Sequence, residues 1–189
     1  MNLSTVTKTR ADFAVPPSAV EGSATRAVSV ARLVQEVKET LGEIWLPYIY
    51  RARILPLRTR SHHLDVPAKE NPVQVQHTLL GVELKVGRRR MLCPDLATAR
   101  YLAVFARAGC ADVAVPYDIT KISQLADELE SGWHRMLLLI ERAAATRHAA
   151  FASRARSLLV RDAREEIKGA GAGTAIPQFN QNTKQRRAR

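Results

Sequence analysis

The stretch VQVQHTLLGVELKVGRRRMLC, residues 73–93, decides the fold class. Val82, Leu84 and Val86 alternate with Glu83 and Lys85, the two-residue period of a half-buried strand. Gly87-Arg88 then reads as a hairpin turn, and Arg90–Cys93 as a short return strand. Pro94-Asp95 stops it, and Asp95 is a suitable N-cap for a helix carrying Leu96, Tyr101, Leu102 and Phe105. Gly109 closes that helix. DVAVPY, residues 112–117, reads as a short buried strand. Thr120 or Ser123 then caps a long helix through Ile122, Leu125, Leu129, Trp133, Met136 and Ile140. No breaker interrupts it before Gly169, although the weakly amphipathic Ala143–Ala152 allows a bend.

Upstream, Val30, Val34, Val37, Leu41, Ile44 and Tyr48 recur at helical spacing from about Ala27, and Pro47 is expected to end or kink the helix. Short extended pieces are expected at Ile49–Leu57 and Leu64–Val66, punctuated by Pro56, Pro67 and Pro72. Together these give an α+β chain, with a mixed sheet flanked by helices and one long C-terminal helix. Residues 1–26 read as a flexible arm, 27–168 as a single domain, and the Gly-rich, then basic 169–189 as a disordered tail.

The chain has 189 residues, with 29 Lys+Arg against 18 Asp+Glu and a net charge of +11. No apolar run reaches the roughly 18 residues of a membrane span. Two cysteines, Cys93 and Cys110, exclude a disulfide framework and a four-cysteine zinc site. The expected setting is therefore cytoplasmic, without a membrane partner. His62, His63 and His77 match no zinc spacing and read as polar loop residues. Residues 46–92 carry nine basic side chains against three acids, and residues 169–189 carry four against none.

Glu83-Leu84-Lys85 places a carboxylate and an amine on one face of the same strand. Divalent-metal nucleases use such a pair, the acid to hold the metal and the lysine to orient water or stabilise charge on phosphate. With the helix, LAVFARAG and DVAVPYD around it, the region from Ala27 to Asp118 resembles the core of the PD-(D/E)xK nuclease superfamily, in particular archaeal Holliday junction resolvases. That resemblance implies Glu83 and Lys85 as catalytic residues and Mg2+ or Mn2+ as cofactor. It also implies a further acid on the preceding strand. Val73–Val82 contains none, and the nearest carboxylates are Asp65 and Glu70. Glu39 or Glu43 would stand near the acid of the family's first helix.

Arg51, Arg53, Arg58 and Arg60 fall on the expected extended chain, and Arg88, Arg89 and Arg90 at the hairpin tip. Converging, they would line a phosphate backbone, with Tyr48 and Tyr50 available for stacking. Lys184, Arg186, Arg187 and Arg189 would add a salt-sensitive tether. No helix-turn-helix, zinc finger, RRM or KH signature is present, so sequence-specific readout is not expected. The leading expectation is nucleic-acid binding through arginines. A metal-dependent DNA nuclease is the alternative. A third is an assembly factor, or homodimer, acting through the apolar helix around 122–140.

Overall fold

The computed structural model describes residues 29–66 and 72–173. The arm at 1–26, Glu70, and Lys184, Arg186, Arg187 and Arg189 lie outside these residues. Ser29 opens helix α1 (Val30–Leu41), its hydroxyl accepting from the Arg32 N–H, and Leu33, Val34, Val37 and Leu41 form the buried stripe. A 3-10 turn (Gly42–Ile44) leads into α2 (Leu46–Ile49) and a π-helical turn (Tyr50–Ile54).

The expected extended piece at Ile49–Leu57 is thus helical as far as Ile54. Pro47 does not end a helix but sits in the first turn of α2, where a missing N–H costs nothing. Helical winding buries Leu46, Ile49, Tyr50 and Ile54 completely, which an alternating strand would not. Leu64–Val66 lies just past strand β1 (Thr59–His63), which places His62 and His63 on a strand rather than a loop.

The α+β class holds, but two small antiparallel sheets replace the single mixed one. In the first, β1 pairs with β5 (Asp112–Pro116). The second runs β2 (Val73–Thr78), β3 (Gly81–Val86) and β4 (Arg89–Cys93). The alternating stretch reverses at Leu79-Leu80, where the Thr78 hydroxyl accepts from Leu80 N–H and donates to the Gly81 carbonyl. Gly87, at φ 61°, makes the expected second turn.

Helix α3 (Leu96–Ala108) is capped as its sequence indicates. The Asp95 carboxylate accepts from Thr98 N–H, and Gly109 is left-handed at φ 78°. The expected long C-terminal helix is two, α4 (Ile119–Ala143) and α5 (Ala149–Ala170), joined by Ala144–His148. Ala144 is buried, and the chain folds back so that Ala155, Leu159, Val160, Ala163 and Ile167 return to the core. Residues 169–173, assigned to the tail, belong to the packed fold. Gly169 lies within α5, and Gly173, at φ 85°, sits where a Cβ would stand 2.6 Å from Thr59 Oγ1.

Val113, Ala114 and Val115 are buried, yet among the described residues β5 has a strand on one side only. Two tyrosines close the other side. Ala114 N–H donates to Tyr50 Oη at 2.9 Å, and the Ala114 carbonyl accepts from Tyr101 Oη at 2.6 Å. Tyr50 Oη donates onward to the Gly171 carbonyl at 2.7 Å. Burial pushes both phenols above their ordinary range, so both keep the proton they donate. Phe105 packs between the rings, 5.5 Å from Tyr50 and 5.1 Å from Tyr101.

Glu166 ties α5 to the first helices. Lys38 Nζ lies 2.8 Å from its carboxylate, and Trp45 Nε1 donates to it at 3.1 Å. Burial works to raise its pKa, but these hydrogen bonds and the Lys38 and Arg51 charges outweigh it and hold the carboxyl below its usual range. A depressed folded pKa stabilises fully above the unfolded value and loses that contribution as pH falls through the folded value. Two outcomes are expected. Tyr101→Phe should cost about 1–3 kcal/mol in urea unfolding, with unchanged denaturant slope, by stranding a buried carbonyl. Glu166→Gln should flatten the fall in stability that wild type shows on acidification below the ordinary glutamate range.

Candidate nucleic-acid interface

Strand register places Glu83 and Lys85 on one face of the three-stranded sheet, with Gln74, Gln76, Arg90 and Leu92 opposite them. Leu84 and Val86 occupy the other face, against the core. The alternation expected for Val82–Val86 is therefore present. The Glu83 side chain is 14% exposed, and Arg90 Nη1 lies 3.9 Å from its Oε2, which is buried and takes no hydrogen bond.

An orphaned carboxylate oxygen is the kind of atom a cation would satisfy, but a divalent ion needs further oxygen ligands beside it. Asp65 is occupied by Arg89, which register puts on the Val86 face of the sheet, opposite to Glu83. Among the described residues, no group of three or more His, Cys, Asp or Glu side chains is placed to hold a metal ion. These residues do not fit Mg2+ or Mn2+. His62 does not supply the lack, since its Nε2 is engaged 3.4 Å from Met91 Sδ. His63 Nδ1 is engaged 2.8 Å from Asp112.

The expected arginines do not converge as one group. Arg51 pairs with Glu166 at 3.4 Å, and Arg53 with Glu128 at 3.9 Å, both directed to the C-terminal helices. Arg89 and Arg90 are held by Asp65 and Glu83. Arg58, Arg60 and Arg88 are exposed and have no acidic partner among the described residues. Tyr50, expected to stack on bases, is wholly buried, whereas Tyr48 is 40% exposed.

Two of the free arginines share a face. Arg60 pairs with Val115 across β1 and β5, and the Arg58 carbonyl accepts from Tyr117 N–H at 3.1 Å, extending the same register. Side chains two residues apart on a strand project to one side, about 7 Å from each other. Arg58 and Arg60 therefore stand beside Tyr117, and the Arg58 guanidinium lies over the Tyr117 ring at 5.2 Å. Tyr117 is 42% exposed, and Ile119 and Lys121 continue this surface onto the start of α4.

Asp118 caps α4, with its carboxylate accepting from the Thr120 N–H and hydroxyl. These hydrogen bonds hold its carboxyl below the usual range. Tyr117 was legible only as the end of DVAVPY. The signal that finds it is the two-residue spacing of Arg58 and Arg60 once β1 is known to pair with β5. No protein family, curated protein or solved structure matches the chain.

The donor set has a thermal consequence. Added manganese is expected to leave the melting temperature of wild type and of Glu83→Gln unchanged. A manganese-dependent rise in wild type that Glu83→Gln abolishes would establish a metal centre at Glu83.

Proposed function

We propose that the protein binds the phosphate backbone of nucleic acid, without sequence specificity, through the face carrying Arg58, Arg60 and Tyr117. The observation that carries this reading is the pair of exposed guanidiniums free of acidic partners among the described residues, one of them over an exposed aromatic ring. Guanidinium forks match phosphate oxygens, and a tyrosine face accepts any base, so affinity arises without base readout. The sequence supports it, since Lys184, Arg186, Arg187 and Arg189 bring four more cations and residues 169–189 contain no acid.

Glu83 and Lys85 have no part in this reading, and cleavage is not advanced because the described residues gather no metal-binding cluster around them. Nor is assembly through α4, since Met136 and Ile140 are buried within this chain's own core and only Leu138 of that band is largely exposed.

Fluorescence anisotropy of labelled single-stranded and duplex DNA and of RNA across a salt series tests the proposal. Arg58→Ala/Arg60→Ala should weaken binding to every sequence and reduce the salt slope by about 1.5. Tyr117→Ala should weaken single-strand binding by about 5- to 100-fold at nearly unchanged slope. Glu83→Gln and Lys85→Ala should bind as wild type does. Equal affinity of wild type and the double arginine variant would contradict the assignment.

A further inference from the structure

Helix α4 begins one residue past Asp118, at the Arg58–Tyr117 face, and its 25 residues rise about 37 Å to Ala143. Helix α5 returns the chain, and its last residues are held at the same sheet by Tyr50 on Gly171 and by Gly173 against Thr59. The connection Ala144–His148 is therefore carried to the far end of both helices.

That far end is strongly basic. Arg142, Arg147, Arg154 and Arg156 are all exposed, and no acid occurs from Arg142 to Arg161. Glu141, just before, pairs with Arg156 at 3.5 Å and leaves the other three without an acidic partner among the described residues. Arg147 lies over the Phe151 ring at 5.8 Å, an arginine–aromatic contact like that of Arg58 and Tyr117.

Between the two ends most charges are paired. On α4, Asp127 and Glu130 bind Arg100, and Glu128 faces Arg53. On α5, Asp162 and Glu166 bind Lys38. Arg135 on α4 and Arg161 beside Asp162 are exposed cations of this middle stretch, but the ion pairs outnumber them and form a belt between two more basic ends. A single continuous track for one backbone would not carry that belt.

We infer that the α4–α5 end is a second phosphate-backbone surface, so that one chain bridges two nucleic-acid duplexes about 37 Å apart. The inference rests on the phosphate-binding reading of the Arg58–Tyr117 face. Its own content is that the two ends act separately. A duplex seated at one end leaves the other available, because the length of α4 exceeds the width of a major groove, about 12 Å, roughly threefold.

The test uses the full chain and two short DNA duplexes of unrelated sequence, one fixed to beads and one fluorescent in solution. Wild type is expected to capture the fluorescent duplex on the beads. Arg142→Ala/Arg147→Ala/Arg154→Ala should reduce capture at least tenfold while binding to one duplex weakens no more than about threefold. Arg58→Ala/Arg60→Ala should also abolish capture, through the opposite end. These side chains are exposed, and circular dichroism melts of each variant should match wild type.

Single-duplex binding without capture would overturn bridging, and so would capture that the α4–α5 variant does not reduce. Capture restored by mixing the two variants would overturn it as well, because association between chains would then be the cause. Failure of wild type to bind any duplex would instead sink the phosphate-binding reading itself.

Discussion

The backbone of a single residue fixes much of this architecture. Ala114 lies in a buried strand with a neighbour on one side only among the described residues, and unpaired backbone groups there would each cost a lost hydrogen bond. Tyr50 and Tyr101 supply the missing donor and acceptor, and Tyr50 also holds the Gly171 carbonyl. One cluster therefore joins the π-helical turn, α3, β5 and the end of α5. A two-stranded sheet is marginal alone. Here it survives in a core because side chains stand in for its third strand.

That arrangement also sets where charge can appear. With the start of α4 and the end of α5 both anchored at the β1–β5 sheet, the connection between them must project away from it. Five acids of these helices, Asp127, Glu128, Glu130, Asp162 and Glu166, are taken up by Lys38, Arg51, Arg53 and Arg100. Arg58 and Arg60 at one end, and Arg142, Arg147 and Arg154 at the other, are left without an acidic partner among the described residues. The net charge of +11 is thus not spread evenly over the surface. Its placement follows from which arginines the fold has already neutralised, and that selection separates Arg58 and Arg60 from Arg51 and Arg53 a few residues earlier.

Much of the fold was legible where local chemistry acts alone. Asp95 and Gly109 bracket α3, DVAVPY is a buried strand, and Glu83 and Lys85 do share a strand face. The sequence misled where a neighbour decides. Ile49–Ile54 contains β-branched and aromatic residues that suit strands, but here the core takes them up on helical turns. The turn at Leu79-Leu80 lacks the usual Asn or Asp, so the β2–β3 reversal was hidden in an unbroken alternation. The break at Ala144–His148 carries neither glycine nor proline. It forms because α5 gains more by returning its apolar stripe to α1 than by continuing into solvent. The candidate interface was half visible: Arg58 and Arg60 were marked by charge, whereas Tyr117 joined them only through a strand pairing that links positions almost sixty residues apart.

Hydrogen exchange at the Ala114 amide measures the tyrosine clamp directly. If both hydroxyls hold the Ala114 backbone, the amide should exchange only through global unfolding, among the slowest in the chain, and Tyr50→Phe should speed it far more than it speeds the amides of α4. Exchange of Ala114 at the rate of the Ala144–His148 connection would contradict the account, because the strand would then open without the rest of the fold.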